Sequence, residues 1–371
     1  MRDLILPSSW TRLLAVTMLM SMLAQQPAAA FDDAALARQA YEGIVLPGYA
    51  RFETAARGFA NQAETLCAEP SDTALKATRE AARTALLAWG RIEPIRFGPM
   101  SEKQRLERLL FYPDQHGIVA KQTAKLLARR DEVDIEPEKL AGASVAVQGF
   151  GAVDVVLFGE GAQALATADA AAAFRCRYLR ALAGDIADIA REAHAEWAGP
   201  YGSIWLDAGP QNKTYLSPRE STQALYRAYA TELEVIRLQR LAPVLAGEAK
   251  AGGRVTPLLN HGGLGLSFIL ANIEGARDIL GPSGFVAADL ADTDKERSAM
   301  AILGSVATDL GFALRSGEAA VAMAPDPVAD DKARARLAPM LLALKNAEET
   351  GRPALGDLTG QALGFNSLDG D

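Results

Sequence analysis

The sequence predicts an all-α protein built from two helical-bundle domains. Apolar residues recur at helical spacing along most of the 371-residue chain, alanine is abundant, and only 6 % of the residues are aromatic. The sequence contains no convincing run with the alternating pattern of a β-strand. Two bundles of similar size are the simplest architecture that buries so many amphipathic helices.

The first half of the chain reads as a series of helices with few residues between them. Helical spacing covers 32–66, with a kink or break expected at Pro47-Gly48. Asp72 is expected to cap a helix that ends near Glu93, and the Ser101 capping box predicts a helix over 101–111. Further helices are predicted over 117–130, 143–158 and 169–198.

A Gly/Pro-rich segment, 199–217, separates the halves and is the expected connection between an N-terminal bundle (31–198) and a C-terminal bundle (218–371). Ser217, Pro218 and a capping-box Glu220 predict a helix start, and that helix runs to about residue 245. Helices are also predicted over 263–280, 292–316 and 328–350. The glycine-rich stretch 260–265 follows no strand, so we interpret it as the start of a helix rather than a nucleotide-binding loop.

The composition excludes some classes of function. The formal net charge is −8 at pH 7, so a broad surface for nucleic acid or for an anionic membrane is not expected. Two cysteines are too few for a Cys₄ zinc site.

The first 30 residues have the pattern of a cleaved signal peptide. Positively charged residues precede an apolar run, Leu13–Leu23, and an Ala-Ala-Ala motif ends at Ala30. Eleven apolar residues are too few to cross a bilayer. We therefore expect export, cleavage before Phe31, and no transmembrane segment in the mature chain.

Export changes what the two cysteines can do. In an oxidising compartment Cys67 and Cys176 can form a disulfide, which would close a long loop and stabilise the fold by about 4 kcal/mol. Two separate buried thiols are the alternative.

Asp154 is the only ionisable residue between Lys139 and Glu160. A buried carboxylate is costly unless it is paired or hydrogen-bonded. The residues three and four positions away are glycine or apolar, so its partner must come from elsewhere in the fold. Two interpretations stay open: a pocket carboxylate with a perturbed pKa, or a buried ion pair that fixes the register of the helix.

A second group of charges lies where a helix ends. Prolines and a glycine predict a rigid corner, and Arg91, Glu93 and Arg96 lie around it. Loops of this kind often carry binding residues. A surface salt bridge at a helix end is the alternative interpretation.

Three segments together resemble the imelysin family of exported bacterial proteins. They read W-x-R-I-E-P-x-R-F-G-P over 89–99, G-F-G-A-V-D-V-V-L-F-G over 149–159 and L-G-F-N-S-L-D-G-D over 363–371. The resemblance extends over about residues 35–371. It implies an all-α fold of two helical bundles in the periplasm or cell envelope, in a family that includes proteins described as metallopeptidases and relatives of iron-uptake components.

The family's GxHxxE motif is degenerate in this sequence. Its histidine and glutamate lie on one helix face and can share a metal ion, but the matching positions here are Gly149, Gly151 and Asp154. The departure counts against peptidase activity and leaves the fold and a binding pocket in place. The resemblance therefore implies no required cofactor; Asp154 and Glu93 could hold an iron ion only weakly.

Our leading hypothesis is an exported, non-catalytic protein that binds a periplasmic ligand or an iron-uptake partner protein. We expect its pocket between the bundles, where Arg96 neutralises Asp154 and orients Glu93, with Arg91 as a further pocket residue. One alternative is an imelysin-type metallopeptidase that uses Glu93, Asp154 and a distant histidine. Another is a structural cell-envelope protein whose ion pairs only hold helices together.

Overall fold

The computed structural model describes residues 31–114, 116–168, 170–246, 257–287, 290–291, 293–324 and 327–360. These residues form α-helices joined by short 3₁₀ and π-helical segments, with no strand in the described ranges, which confirms the all-α class. The predicted signal peptide and the motif at 363–371 lie outside the described residues. No helix in the described ranges has both the length and the apolar character needed to cross a bilayer.

The first half of the chain is organised around α2 (Leu46–Ala68), which packs against α3 (Asp72–Ile92) and α8 (Ala170–Ala198). The helix α8 also packs against α7 (Gly149–Phe158) and α9 (Pro200–Leu206). The helices in this half are α1 (Asp33–Ala40), α2 (Leu46–Ala68), α3 (Asp72–Ile92), α4 (Arg105–Leu109), α5 (Ile118–Arg129), α6 (Pro137–Ala141), α7 (Gly149–Phe158), α8 (Ala170–Ala198) and α9 (Pro200–Leu206).

The second half is organised around a long helix pair. The helices are α10 (Pro218–Glu234), α11 (Ala242–Ala246), α12 (Gly265–Leu280), α13 (Asp294–Met323) and α14 (Asp331–Thr359), and a π-helical segment, Val235–Leu241, joins α10 to α11. α13 packs along α14, and α12 contacts both α13 and, in the first half, α3. Buried apolar side chains from both halves form one continuous core. The division into two domains therefore stays a prediction.

The connecting segment 199–217 contains a helix, α9, that the sequence analysis did not predict. Pro200 occupies its first turn, where a missing N–H removes no helical hydrogen bond. Trp205 is fully buried and donates its indole N–H to the carbonyl oxygen of Ala37 at 2.9 Å. The segment thus packs onto the core, because the apolar area of this tryptophan outweighs its glycine and proline content.

The helix predicted over 101–111 is wrong in its start and its length. Gln104 has a left-handed backbone with φ of 55°, so it cannot serve as the third residue of a helix capped by Ser101. The Ser101 hydroxyl instead donates to the Gly98 carbonyl oxygen at 2.8 Å, within a 3₁₀ turn. The α-helix that follows, α4, ends at Leu109.

The helix predicted over 143–158 is divided in two. A 3₁₀ turn, Val145–Val147, precedes α7, and Gly149, the first residue of α7, has φ of +60°. A Cβ at this position would lie 2.1 Å from the carbonyl oxygen of Arg108. Glycine is therefore required here both by backbone conformation and by the close approach of the neighbouring chain.

Three further details of the predicted elements differ from the structure. The backbone stays helical through Pro47-Gly48, because a π-helical segment, Tyr41–Val45, leads directly into α2. Ser71, rather than Asp72, caps α3 by accepting from the Ala74 N–H at 3.2 Å. The last two predicted helices extend further, to Met323 and Thr359.

Cys67 and Cys176 form a disulfide, as the sequence analysis favoured, with Cα atoms 5.7 Å apart. The bond ties the end of α2 to the beginning of α8 and closes a loop of 109 positions. A loop of this length restricts the unfolded chain strongly.

We expect the Cys67→Ser/Cys176→Ser double variant to lose about 3–5 kcal/mol of unfolding free energy, because its unfolded chain regains that freedom. Urea unfolding followed by circular dichroism measures the loss. Reductant should lower the urea midpoint of the wild type and leave the midpoint of the double variant unchanged. Equal midpoints for the two proteins under oxidising conditions would contradict the expectation.

Candidate functional site

The corner after α3 turns Glu93 and Arg96 into the interior of the protein. The Tyr49 hydroxyl donates to the carbonyl oxygen of Ile95 at 2.6 Å, which fixes the backbone between them. The Phe97 ring stacks on Trp205, with centroids 5.2 Å apart. The corner is therefore held by both a buried hydrogen bond and aromatic packing, and not by surface charge.

Glu93 is the centre of a buried ion cluster. Its carboxylate accepts two hydrogen bonds from Arg240, at 2.6 and 2.9 Å, and a third from the Asn272 amide at 2.9 Å. Arg96 lies 2.6 Å from the Glu232 carboxylate and 3.4 Å from that of Glu93. We call Glu93, Arg96, Glu232, Arg240 and Asn272 the buried cluster; two arginines and two glutamates balance its charge.

The cluster connects the two halves of the chain. Glu93 and Arg96 follow α3, whereas Glu232 lies on α10, Arg240 on the π-helical segment and Asn272 on α12. The Asn272 amide also donates to the carbonyl oxygen of Gly90 at 2.8 Å. Three elements of the second half and the corner of the first half are thus held by one network.

The two glutamates of the cluster differ in pKa. Burial alone would raise the pKa of Glu93, but the charges of Arg240 and Arg96 and its hydrogen bonds lower it overall. Burial raises the pKa of Glu232, and the like charge of Glu93 adds to the effect against the two arginines. Relative to an exposed glutamate, the surroundings therefore favour the ionised form of Glu93 and disfavour that of Glu232.

Asp154 lies in α7 and its partner comes from elsewhere in the fold, as expected. Its two carboxylate oxygens accept backbone N–H groups of a distant turn: His261 at 3.0 Å and Gly262 at 2.8 Å. A Cβ on Gly262 would lie 3.1 Å from the carboxylate and from the Phe158 ring, so only glycine allows this approach without a shift. Burial raises the pKa of Asp154 against these two hydrogen bonds.

A cavity of about 40 Å³ borders this carboxylate. Its polar lining includes Tyr112, Asp114, Asp154 and His261, and Gly151 contributes bare backbone. The space suffices for a few water-sized groups. We call it the Asp154 cavity.

Tyr112 lies between the Asp154 cavity and the buried cluster. Its hydroxyl is buried without a hydrogen-bond partner in the described residues. Burial raises the pKa of Tyr112 to about 12, while the charge of Arg240 lowers it and that of Asp114 raises it. The phenol is therefore a neutral donor that can serve a group entering the cavity.

The structure separates the residues that the sequence analysis placed in one pocket. Arg96 pairs with Glu232 and Glu93, as expected for Glu93, but Asp154 is held by backbone amides and not by Arg96. Arg91 lies outside the buried cluster and forms a bidentate salt bridge with Asp278, in which two guanidinium nitrogens donate to the carboxylate oxygens at 2.7 and 3.1 Å. The expected single pocket is thus a buried cluster, a neighbouring cavity and a surface ion pair.

The sequence analysis missed Tyr112, Glu232, Arg240 and Asn272. Tyr112 and Asn272 have mostly apolar neighbours in the sequence, which is the signal that singled out Asp154. Arg240 and Glu232 sit among other charged residues of a long helical segment, so the pattern did not show which of these charges point inward. That choice depends on packing.

The residues present do not fit the metal site that the family resemblance implies. All four oxygens of Asp114 and Asp154 already accept backbone N–H groups, and position 151 carries no side chain. Glu93 does not line the Asp154 cavity, and of the three histidines only His261 is part of the lining described. Within the described ranges, no group of three or more His, Cys, Asp or Glu residues is placed to hold a metal ion.

Comparisons with known proteins agree with this fold. The family model described as Imelysin matches residues 45–350. An imelysin-like protein from Psychrobacter arcticum 273-4 superposes with a TM-score of 0.72 at 18 % identity, covering 91 % of this chain and 100 % of that one. A protein described as an iron-regulated protein A precursor, from Parabacteroides distasonis ATCC 8503, gives 0.70 at 14 % identity, with 91 % and 96 % covered. No curated protein sequence matches the chain significantly.

Neutralising the two buried glutamates should have unequal effects. We expect Glu93→Gln to lower the unfolding free energy by about 3–5 kcal/mol, because it leaves Arg240 buried without its main counter-charge. Glu232→Gln should cost less than Glu93→Gln, because burial already disfavours the charge at this position. Urea unfolding at pH 7 measures both losses. Glu80→Gln, which removes an exposed partner of Arg83, is the control and should cost under about 1 kcal/mol; equal losses at Glu93 and Glu232 would contradict the assignment.

The stability lost in Glu93→Gln should depend on pH in one direction. The folded state lowers the pKa of Glu93 from its ordinary value of 4.5, so the stability it contributes is complete above that value. This contribution is lost as the pH falls through the lowered folded pKa. The unfolding free energies of wild type and variant, measured between pH 7 and pH 3, should therefore converge at acid pH. A difference that grows on acidification would show that the shift has the opposite sign.

Proposed function

Because this chain belongs to the imelysin family, we propose that it is an exported, non-catalytic binding protein that acts in bacterial iron acquisition, with its ligand site at the Asp154 cavity. One observation carries the proposal. The Asp154 carboxylate is buried at the position of the family motif and accepts two hydrogen bonds from a glycine-containing turn. Beside it lies a cavity into which residue 151, a glycine, projects no side chain. The site keeps its construction although the histidine is absent.

Binding is supported over catalysis by the donors around the cavity. A peptidase of this family type would use an imidazole at position 151, and glycine provides none. The Asp154 oxygens would have to release the turn at 261–262 before either could become a free metal ligand. Tyr112, in contrast, offers an unused hydroxyl to a polar group of a ligand.

The turn at 257–264 is the natural moving part of such a site. Two of its N–H groups donate to Asp154 of α7, Gly262 also lies close to the Phe158 ring of α7, and its residues form one wall of the cavity. The cavity accommodates only a few water-sized groups in this arrangement. A ligand therefore inserts a small polar group, or displaces the turn to reach the buried carboxylate.

The role in iron acquisition is supported by the structural neighbour described as an iron-regulated protein A precursor. Export is supported by the signal-peptide pattern of residues 1–30, and the word precursor in that name agrees with it. We place the mature chain in the periplasm or cell envelope. Its partner there is a ligand or an iron-uptake protein.

Growth under iron limitation tests the proposal. A strain of the source bacterium that lacks the chain should grow more slowly than wild type when iron is chelated, and a plasmid copy should restore growth. A copy with Asp154→Asn should leave growth at the level of the deletion strain, because the new amide presents an N–H group to one of the two turn N–H groups. Circular dichroism and the amount of exported protein establish that the variant is folded and present.

The matched control is Asp188→Asn, an exposed aspartate of α8 that pairs with Arg191 and should restore growth fully. Full restoration by Asp154→Asn would contradict the site and favour a structural role in the envelope. Stoichiometric zinc in the purified protein, together with chelator-sensitive cleavage of an unfolded substrate, would contradict the non-catalytic assignment.

A further inference from the structure

A second cavity, of about 780 Å³, lies between the two halves of the chain. Its first wall consists of the π-helical segment Tyr41–Val45, the first turns of α2 and the end of α3. Its second wall consists of the end of α12, the turn after it and one face of α13. None of its lining residues belongs to the Asp154 cavity. We call it the arginine cleft; its volume is typical of a site for a small organic ligand.

Three arginines of this cleft have no carboxylate partner among the described residues. Arg51, Arg277 and Arg315 come from α2, α12 and α13, and all three side chains are exposed. Arg91, which also lines the cleft, is by contrast engaged by Asp278 in a two-pronged pair, with Glu274 at 3.5 Å. Guanidinium groups from three separate helices thus line one space without being neutralised by the protein.

The charge of the lining agrees with an anionic occupant. Four arginines and three carboxylates line the cleft, in a chain whose formal net charge is −8. Two of those carboxylates, Glu274 and Asp278, are committed to Arg91. Glu318 is the third, so the uncommitted charges of the lining are predominantly positive.

Two glycines keep the cleft open where it meets α13. Gly304 and Gly311 lie seven residues apart on the same side of this helix and both line the cleft. A Cβ at Gly304 would meet nothing within 4 Å, and at Gly311 the nearest described atom is an Arg315 nitrogen at 3.5 Å. Close packing therefore does not require glycine at either position, although each costs about 1 kcal/mol of helix stability relative to alanine.

Gly317, on the same helix, is by contrast a glycine that close packing between helices does require. A Cβ there would lie 2.5 Å from the Leu270 side chain, so that glycine is needed for helix contact. At Gly304 and Gly311 the missing side chains instead leave room beside the guanidinium of Arg315.

We propose that the arginine cleft binds a small organic anion carrying two or more carboxylate or phosphate groups. The guanidinium groups of Arg51, Arg277 and Arg315 pair with the anionic groups, since their planar donors match both carboxylate and phosphate oxygens. Apolar residues that keep exposed surface, such as Pro282, Val286 and Ala307, line the same cleft and contact the carbon frame of the ligand.

Isothermal titration calorimetry of the purified protein tests the proposal, with citrate as the carboxylate probe and pyrophosphate as the phosphate probe in metal-free buffer of low ionic strength. We expect saturable binding of at least one probe at one site per chain, and the probe that binds identifies the anionic group. Arg51→Gln and Arg315→Gln should each weaken binding at least tenfold. Gly304→Leu should abolish it by filling the cleft, while the thermal midpoint stays equal or rises.

Two matched controls separate the cleft from general effects. Arg57→Gln removes an exposed arginine of α2 that does not line the cleft, and Gly184→Leu fills open space at a glycine within α8. Both should bind the probe like the wild type, and so should Asp154→Asn, because the two sites share no residue. The proposal is overturned if neither probe saturates, or if a control weakens binding as much as Gly304→Leu or Arg315→Gln.

Discussion

The buried ion pair between Glu93 and Arg240 is the interaction on which the rest of this structure depends. Two charges removed from water must find each other and satisfy their remaining donors and acceptors, or the fold loses several kcal/mol. Here that requirement brings together the corner after α3, the π-helical segment and α12, with Arg240 also lying over the Phe268 ring at 5.1 Å. Apolar packing could slide by a helical turn; a network this specific fixes the register between the halves of the chain.

Asp154 is also a buried carboxylate, but its oxygens are satisfied in a different way. Within the part of the chain that the structure describes, this carboxylate forms no ion pair, and two backbone N–H groups of a glycine-rich turn donate to it instead. A turn whose N–H groups converge on one point is suited to an anion, and in this protein the anion is the chain's own side chain. These two hydrogen bonds connect the turn to α7, and the cavity beside them is the candidate site.

Tyr112 makes the two features parts of one region. It lines the Asp154 cavity and lies within electrostatic reach of Arg240. A group that binds its hydroxyl would therefore lie near the charges of the buried cluster. The loss of the histidine at position 151 changes which ligands this region can hold, but it leaves the surrounding scaffold intact. The arginine cleft is separate in its residues and shares only the junction between the two halves.

The sequence by itself determined the helical class, most helix positions, the family and the need for a distant partner at Asp154, and it favoured the disulfide that the structure shows. These properties depend on periodicity, on residue type and on the cost of burying a charge, all of which are visible in one dimension. Only the tertiary structure decided that Arg96 forms ion pairs with Glu232 and Glu93, whereas backbone N–H groups donate hydrogen bonds to Asp154. Arg240 lies within the π-helical segment, where side chains point in different directions than in an α-helix, and its side chain there is buried. Which charge meets which depends on distances between elements far apart in the chain, and no local pattern encodes them.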